Sequence, residues 1–511
     1  MHQPTMLAFF PSNLEIQTSI FENRTKQLIA ASEATIAHLE AKISDEEAIL
    51  THLRSTIAPI RNLPPDLLSR IFLLSVSDAD MYSREITARL TLTRVCARWR
   101  RVAHTTPQLW AVAAPTYYSK HPTKNYFTGL RSWMERSAPL PLPVSLHCPH
   151  DPVAAGLIMD TLCTEAHRWS YADLTLPSLL CLARIPPRSL EQLTGMSLVI
   201  RGEADSDDEV DPIEIIAFSH TPQLRDLDLN IPFPDRLPIP WSQLLGPNLH
   251  APPSACLNIL ERCPALTAVV IEMEGWETLP DLLSRAMTTI VGLTTLELDL
   301  SERTGHFIPL FACLTLPELH ELELKLSEDL VWDTAELSRF LLRSPKLYRL
   351  SIDNSKLDAD DLLAVLRSSP SLAKLEMYSC EHCITDAVMT ALRYSESDAV
   401  HLTPKLQELM LECVGDHFDP ENLATTIVSR WWSDEQLAAM PSRPAVARWE
   451  KIHISVDAEL DDDEDDHFTR AFWDKLSRAG CRNGGLDVRA NHQNWTGYGM
   501  YQLRLWNIIL D

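Results

Sequence analysis

Apolar positions recur along this chain in three rhythms. Between residues 14 and 60 the period is seven. Ile29, Ile36, Ile43, Leu50 and Ile57 form one series, and Leu39, Leu53 and Ile60 form its companion, which Ser32 and Glu46 interrupt. This predicts one long helix over 14–60 carrying a heptad stripe. The stripe fits a coiled-coil homodimer or partner helix through residues 29–60. It fits equally a helix folded back onto the segment that follows.

From 61 to 111 the spacing is that of short amphipathic helices. Leu67, Leu68, Ile71, Phe72 and Leu74 make one apolar stripe, and Leu92, Val95, Cys96, Trp99 and Val102 make a second. Arg94, Arg98, Arg100 and Arg101 fall mostly opposite the second stripe. Pro64 and Pro65 suit a first helical turn, where missing N–H groups cost little. Asp66 complements the positive end of that helix. Residues Ser77 to Glu85 read as an inserted loop.

Beyond residue 165 a phrase returns, Leu-x-x-Leu-x-Leu. It starts at Leu224, Leu266, Leu293, Leu319, Leu347, Leu372 and Leu406, with weaker copies at Leu193 and Trp449. The central starts lie 27, 26, 28 and 25 residues apart, inside the range of about 20–29 residues for leucine-rich repeats. Alternating Leu-x-Leu makes a short strand with both apolar side chains inward. The stretch after each strand returns the chain, as in a helix over Asp358 to Arg367. One repeat cannot bury its own face, so the units must stack. The expected interior is Leu227, Leu229, Leu296, Leu298, Leu322, Leu324, Leu350, Ile352, Leu375 and Leu409. The long spacings 224 to 266 and 406 to 449 predict insertions. The first, rich in proline, reads as an irregular loop. Between the two regions, 112–164 reads as a linker with the first solenoid elements: a helix over Tyr126 to Ser137, then a strand at Val144-Ser145-Leu146 whose prolines favour a sheet edge.

Composition narrows the function classes. The 511 residues carry a net charge of −25, with 14 Gly and 35 Pro. Nucleic acid and anionic membrane are disfavoured partners, since both need Lys and Arg against phosphate. No apolar run approaches the roughly 20 residues of a spanning helix. Eleven scattered Cys fit reduced thiols and a cytoplasmic or nuclear setting. Cys380-Glu381-His382-Cys383 lacks a second ligand pair, so no zinc is expected. Cys380 reads instead as a turn position bonding to backbone. No phosphate loop, nucleophile elbow or metalloprotease motif occurs, and no catalytic residue, cofactor or metal is predicted. The acidic runs 203–211 and 459–466 read as solvated loops or as docking sites for a basic partner. Trp431, Trp432, Trp473, Trp495 and Trp506 either cap the stack or anchor a partner.

The ordered series Leu63-Pro64, Ile71-Phe72, Val95-Cys96-x-x-Trp99 and Leu109-Trp110 resembles an F-box, with a longer middle of the kind found in fungal F-box-like proteins. The resemblance implies a module at 61–111 that docks a Skp-type adaptor on a cullin scaffold. It would do so through Leu63, Pro64, Leu67, Leu68, Ile71, Val95, Trp99 and Trp110. The fold class is then α/β: a helical N-terminus and F-box, followed over 165–511 by an atypical leucine-rich repeat solenoid with a C-terminal cap.

Substrate would lie on the strand face. Asp226, Asp228, Glu297, Asp299, Glu321, Glu323, Glu376 and Glu408 flank inward leucines and point outward by alternation. That row favours a basic protein segment, or serves solubility alone. Three functions remain open: substrate receptor of a ubiquitin ligase, F-box scaffold acting outside such ligases, or an enzyme built on the C-terminal region.

Overall fold

The computed structural model describes residues 19–77, 82–112, 122–201, 215–231, 233–273, 276, 287–301, 305–327, 330–353, 356–380, 382–397, 400–414, 417–440, 442–456, 470–481 and 486–492. The two acidic runs, Trp495 and Trp506 lie outside these. The chain divides into two compact units, Met1–Thr106 and Pro107–Asp511.

The first unit is helical. α1 (Ser19–Ile57) is a single helix of 39 residues. A 3-10 turn at Pro59–Asn62 leads to α2 (Pro65–Ser77), α3 (Tyr82–Val95) and α4 (Ala97–His104). Two expectations change here. The expected loop shrinks: α2 takes Ser77 and a helix from Tyr82 takes 82–85, leaving 78–81 outside the described residues. The second apolar stripe is also two helices. Cys96 adopts extended backbone between them, and its Sγ accepts the Trp99 N–H at 3.4 Å as an N-cap. Periodicity runs through such a break because the residues on either side still share a face. The core is Leu68, Phe72, Val76, Val102 and Ala103, with Phe72 and Trp99 rings 4.8 Å apart.

The second unit opens with α5 (Lys124–Ser137), then winds strand after strand into one parallel sheet. Its strands are β1 (Leu142–His147), β2 (Trp169–Leu176), β3 (Gly195–Ile200), β4 (Asp226–Asn230), β5 (Gly246–His250) and β6 (Ala268–Glu272). After a two-residue β7 (Thr288–Thr289) come β8 (Thr295–Asp299), a short β9 (Gly305–His306), a short β10 (Leu314–Thr315) and β11 (Glu321–Lys325). A short β12 (Leu330–Val331) precedes β13 (Arg349–Asp353), β14 (Lys374–Tyr378), β15 (Glu408–Val414), β16 (Lys451–Val456) and β17 (Asp487–His492). The 13 long strands pair in chain order, and β1 is an edge, as its Pro143 favours. Every neighbouring pair is parallel. Successive parallel strands with a return on one side are the topology of a solenoid.

Each position of the repeated phrase has a physical role. The first leucine closes a turn: Leu266, Leu319, Leu347, Leu372 and Leu406 each donate their N–H to the carbonyl three residues before. The next two line the core in register, Leu296–Leu322–Leu350–Leu375–Leu409 and Leu298–Leu324–Ile352–Met377–Leu411. All ten side chains expected inside are at most 3% exposed. The returns are α6 (Pro152–Leu162), α7 (Pro253–Leu260), α8 (Pro309–Ala312), α9 (Thr334–Leu342), α10 (Ala359–Arg367), α11 (Asp386–Leu392), α12 (Pro420–Ser429), α13 (Asp434–Ala439) and α14 (Arg470–Arg478), with 3-10 turns elsewhere. Asp151, Asp333, Asp358 and Asp419 cap four of them by accepting backbone N–H bonds.

The proline-rich stretch expected as a loop is a full repeat, with β5 and α7. Its phrase is Leu244-x-x-Pro247-x-Leu249. Pro247 takes the place of the middle leucine, and the ladder to β6 begins one residue later at Asn248. The second long spacing holds α12 and α13. Trp431 and Trp449 are buried in the stack, and Trp432 and Trp473 are half-buried. None of the described helices is long and apolar enough to cross a membrane.

Candidate functional site

In the helical unit, α2 is apolar on two faces. Leu68, Phe72 and Val76 face the core, whereas Leu67, Ile71 and Leu74 are 51, 42 and 64% exposed. Spacing of three and four residues places that second set on one side of the helix. Val95, at the end of α3, is likewise exposed, and Pro64 lies exposed in the turn before α2. Arg98 donates to the carbonyls of Arg61 and Leu63, so α4 fixes the approach to α2. Leu63 and Trp99 are partly exposed.

Two residues expected at the adaptor surface are elsewhere. Leu68 is 0% exposed inside the core. Trp110, also 0% exposed, sits in the second unit edge-on to Trp133 with ring centroids 4.9 Å apart, beneath the guanidinium of Arg136. Both maintain cores. The sequence could not separate the two faces of α2, since leucine and isoleucine serve either.

The strand face of the second unit is charged, but its carboxylates do not form the open row expected from alternation. Lys325, Arg349 and Lys374 stand among them. Lys325 pairs with Glu297 and lies 3.9 Å from Glu323 and 4.0 Å from Asp299. Arg349 reaches Glu321 at 3.2 Å, Glu323 at 3.4 Å and Glu376 at 2.5 Å. Lys374 bridges Glu376 at 3.1 Å and Glu408 at 3.6 Å. Tyr348 donates its hydroxyl to Glu321. Burial works against the charge on Lys325, but its hydrogen bond and attraction to Glu297, with Glu323 and Asp299, raise its pKa above the ordinary value. Arg349 is raised in the same way, against burial, by Glu376 and Glu323 foremost.

Glu376 is therefore a buried partner, with only 5% of its side chain exposed, and offers nothing to a ligand. Glu297, Asp299, Glu321, Glu323 and Glu408 are half-buried within the same ladder. The missing signal was cross-strand register: Glu321, Arg349, Lys374 and Glu408 occupy one phrase position, two residues past the first leucine.

Asp226 and Asp228 do lie exposed. Ser197 donates to Asp228 at 3.0 Å, and Ser145 donates to Asp173 at 3.3 Å two strands away. Partial burial first, then the charges of Asp173 and Glu272, hold the Asp228 carboxyl above the usual range, against the Ser197 bond and His250. His250 lies 3.0 Å from Glu272.

Cys380 is buried, with Sγ 3.2 Å from the Tyr378 carbonyl and 3.8 Å from that of Ile352, so it ties its turn to the preceding repeat. No group of three His, Cys, Asp or Glu suited to a metal occurs among the described residues.

Residues 60–112 match the F-box-like family model. No curated protein matches the chain. Among solved structures, the crystal structure of a TLR13-ssRNA13 complex is similar at 11% identity and a TM-score of 0.23. The match covers 76% of this chain and 62% of that one, so the chain spans less than two thirds of its length.

Proposed function

We propose that this chain is a substrate-recognition subunit of a ubiquitin ligase built on a Skp-type adaptor and a cullin. The observation that carries the reading is the second apolar face of α2, Leu67, Ile71 and Leu74. It stands exposed inside a segment that matches the F-box-like family. An apolar stripe left in water on a small helical module marks a protein-binding surface. The solenoid supplies the extended strand face that would hold a substrate protein. Catalysis is then proximity, since tethering raises the local concentration of substrate beside the conjugating enzyme. Eleven cysteines, none in a disulfide, suit work in the cytoplasm or nucleus.

Co-purification with a recombinant Skp-type adaptor tests the reading. Leu67→Glu with Ile71→Glu should abolish it, as should Leu63→Ala with Pro64→Ala, while circular dichroism stays unchanged. Undiminished capture by the folded variants would refute it. Adding the cullin separates a ligase subunit, which recruits it, from a scaffold acting outside ligases.

A basic segment remains the proposed substrate class, and Asp226 and Asp228 are the residues to test. Changing Glu321 or Glu323 to Lys would disrupt the Arg349 and Lys325 pairs and confound binding with folding. Asp226→Lys with Asp228→Lys should weaken substrate capture, and added salt should slow wild-type association. Indifference to both would remove the basic segment.

A further inference from the structure

α1 is 39 residues long, about 58 Å at 1.5 Å per residue. Every described side chain from Arg24 to Ile57 is exposed, so the helix is not folded back on its own module. Its apolar residues are not scattered. With Ile29 at position a of a heptad, Ile36, Ile43, Leu50 and Ile57 are also at a, and Leu39 and Leu53 are at d. Their exposures run from 47 to 80%. Leu28 and Ile49 at g widen the seam and are 64 and 51% exposed.

We propose that α1 pairs in parallel with α1 of a second copy of this chain, forming a two-stranded coiled coil. Three features single out this occupant. First, β-branched Ile fills four of the five a positions and Leu fills the two apolar d positions of α1, the combination that favours two parallel strands. Second, the flanking charges fit. In a parallel pair, g faces e′ of the following heptad, so Lys42 of each copy meets Glu47 of its mate. An antiparallel pair sets e against e′, which brings Glu33, Glu40 and Glu47 of the two copies together. Third, the area approaches that of a specific interface. Taking roughly 100 Å² of apolar surface for each fully buried side chain, the exposed parts of the a and d residues of two copies amount to roughly 800 Å². The g residues and the stems at e carry it toward the ~1,200–2,000 Å² of a specific interface.

The seam also has a built-in weak point. Glu46 occupies a d position, so in the parallel pair it faces Glu46 of the mate. Like charges directly opposed in a seam lower stability, so the dimer exchanges with monomer. Only Ala58, the 3-10 turn Pro59–Asn62, Leu63 and Pro64 separate α1 from α2. A parallel coil therefore brings two F-box-like modules to the same end, giving a bivalent receptor whose gain comes from effective concentration. The pairing itself does not depend on the adaptor reading.

Light scattering and sedimentation velocity on the full chain decide this, across about 1–100 μM, the range of weak specific complexes. The expected mass rises to twice the 57.7 kDa chain. Ile36→Glu with Ile43→Glu should return it to one chain, and Glu46→Leu should lower the dissociation constant by about tenfold or more. Oxidation of an Ile29→Cys variant should give a disulfide-linked dimer beyond the wild-type background, because parallel strands place the two a positions together. A wild-type monomer throughout that range, a dimer untouched by the double Glu variant, a larger assembly, or no cross-link at position 29 would each overturn the proposal.

Discussion

Arg349 holds three carboxylates, among them the buried Glu376, so its removal tests the charge ladder sharply. Arg349→Met keeps most of the volume and deletes the charge. It strips Glu376 of one of its two cations and deprives Glu321 and Glu323, 31% and 18% exposed, of a counter-ion. Breaking a buried pair costs about 3–5 kcal/mol, because the surviving charge keeps its desolvation penalty. Two facts reduce that here. Lys374 still lies 3.1 Å from Glu376, and Arg349 is itself 21% exposed, so solvent screens part of the interaction. The expected loss is about 2–3 kcal/mol. Urea unfolding followed by far-UV circular dichroism reads it, with Glu376→Met and the double variant completing a cycle. The double variant should recover about 1–2 kcal/mol of coupling, since the two sites are in contact. A loss under about 0.5 kcal/mol, or strictly additive single effects, would refute the view that these pairs support the sheet.

Leu324→Ala, deep in the inward row, should lower stability by about 2–5 kcal/mol in the same unfolding assay. Among the eleven cysteines Cys96 is the exposed one, so native chain at pH 8 should show one promptly reactive thiol, lost in Cys96→Ser. Burial pushes Cys163, Cys256 and Cys263 up to about 12, and those thiols should react only on unfolding. The folded-state pKa of Asp228 lies above its ordinary 3.8, so the folded chain binds that proton more tightly than the unfolded one. The contribution of this group to stability should rise as pH falls through its folded pKa, and Asp228→Asn should be the more stable protein at pH 7 by a margin that vanishes at acid pH.

Inward positions were legible because strand side chains alternate and the solenoid repeats the alternation every 25–28 residues. A phrase seen seven times defines a face even where individual copies vary. Where one residue departs from the phrase, the reading fails: Pro247 hid β5 and made a repeat look like a loop. The break at Cys96 was hidden for the opposite reason, since the apolar spacing continues through it. The long helix was legible from its heptads, but its surroundings were not, because period alone does not say what covers a stripe. Charge partners were the least legible. Arg349 and Glu376 are 27 residues apart in the chain and meet only through register, which single-strand alternation does not supply.

The arginines of the returns show how far the repeats depend on one another. Arg343, at the end of α9, donates to the carbonyls of Phe311 and Leu314 in the preceding repeat. Arg168 donates to those of Met134 and Leu140, and Arg430 to that of Thr403. Each adds a charged donor to carbonyl groups at the end of a helix or turn. Arg430 is fully buried, and burial lowers its pKa to about 10. A guanidinium spent on the neighbouring repeat's backbone cannot also meet a ligand. The same holds for Lys325, Arg349 and Lys374 on the strand face. Much of the charge on the described solenoid is thus committed to joining one repeat to the next, which shifts the search for a partner surface to groups outside these pairs. Asp226 and Asp228 are two such groups, and they lie on a strand whose outward neighbours Ser197 and Asn248 are small and uncharged. A cation approaching there would displace a serine hydrogen bond and no protein salt bridge.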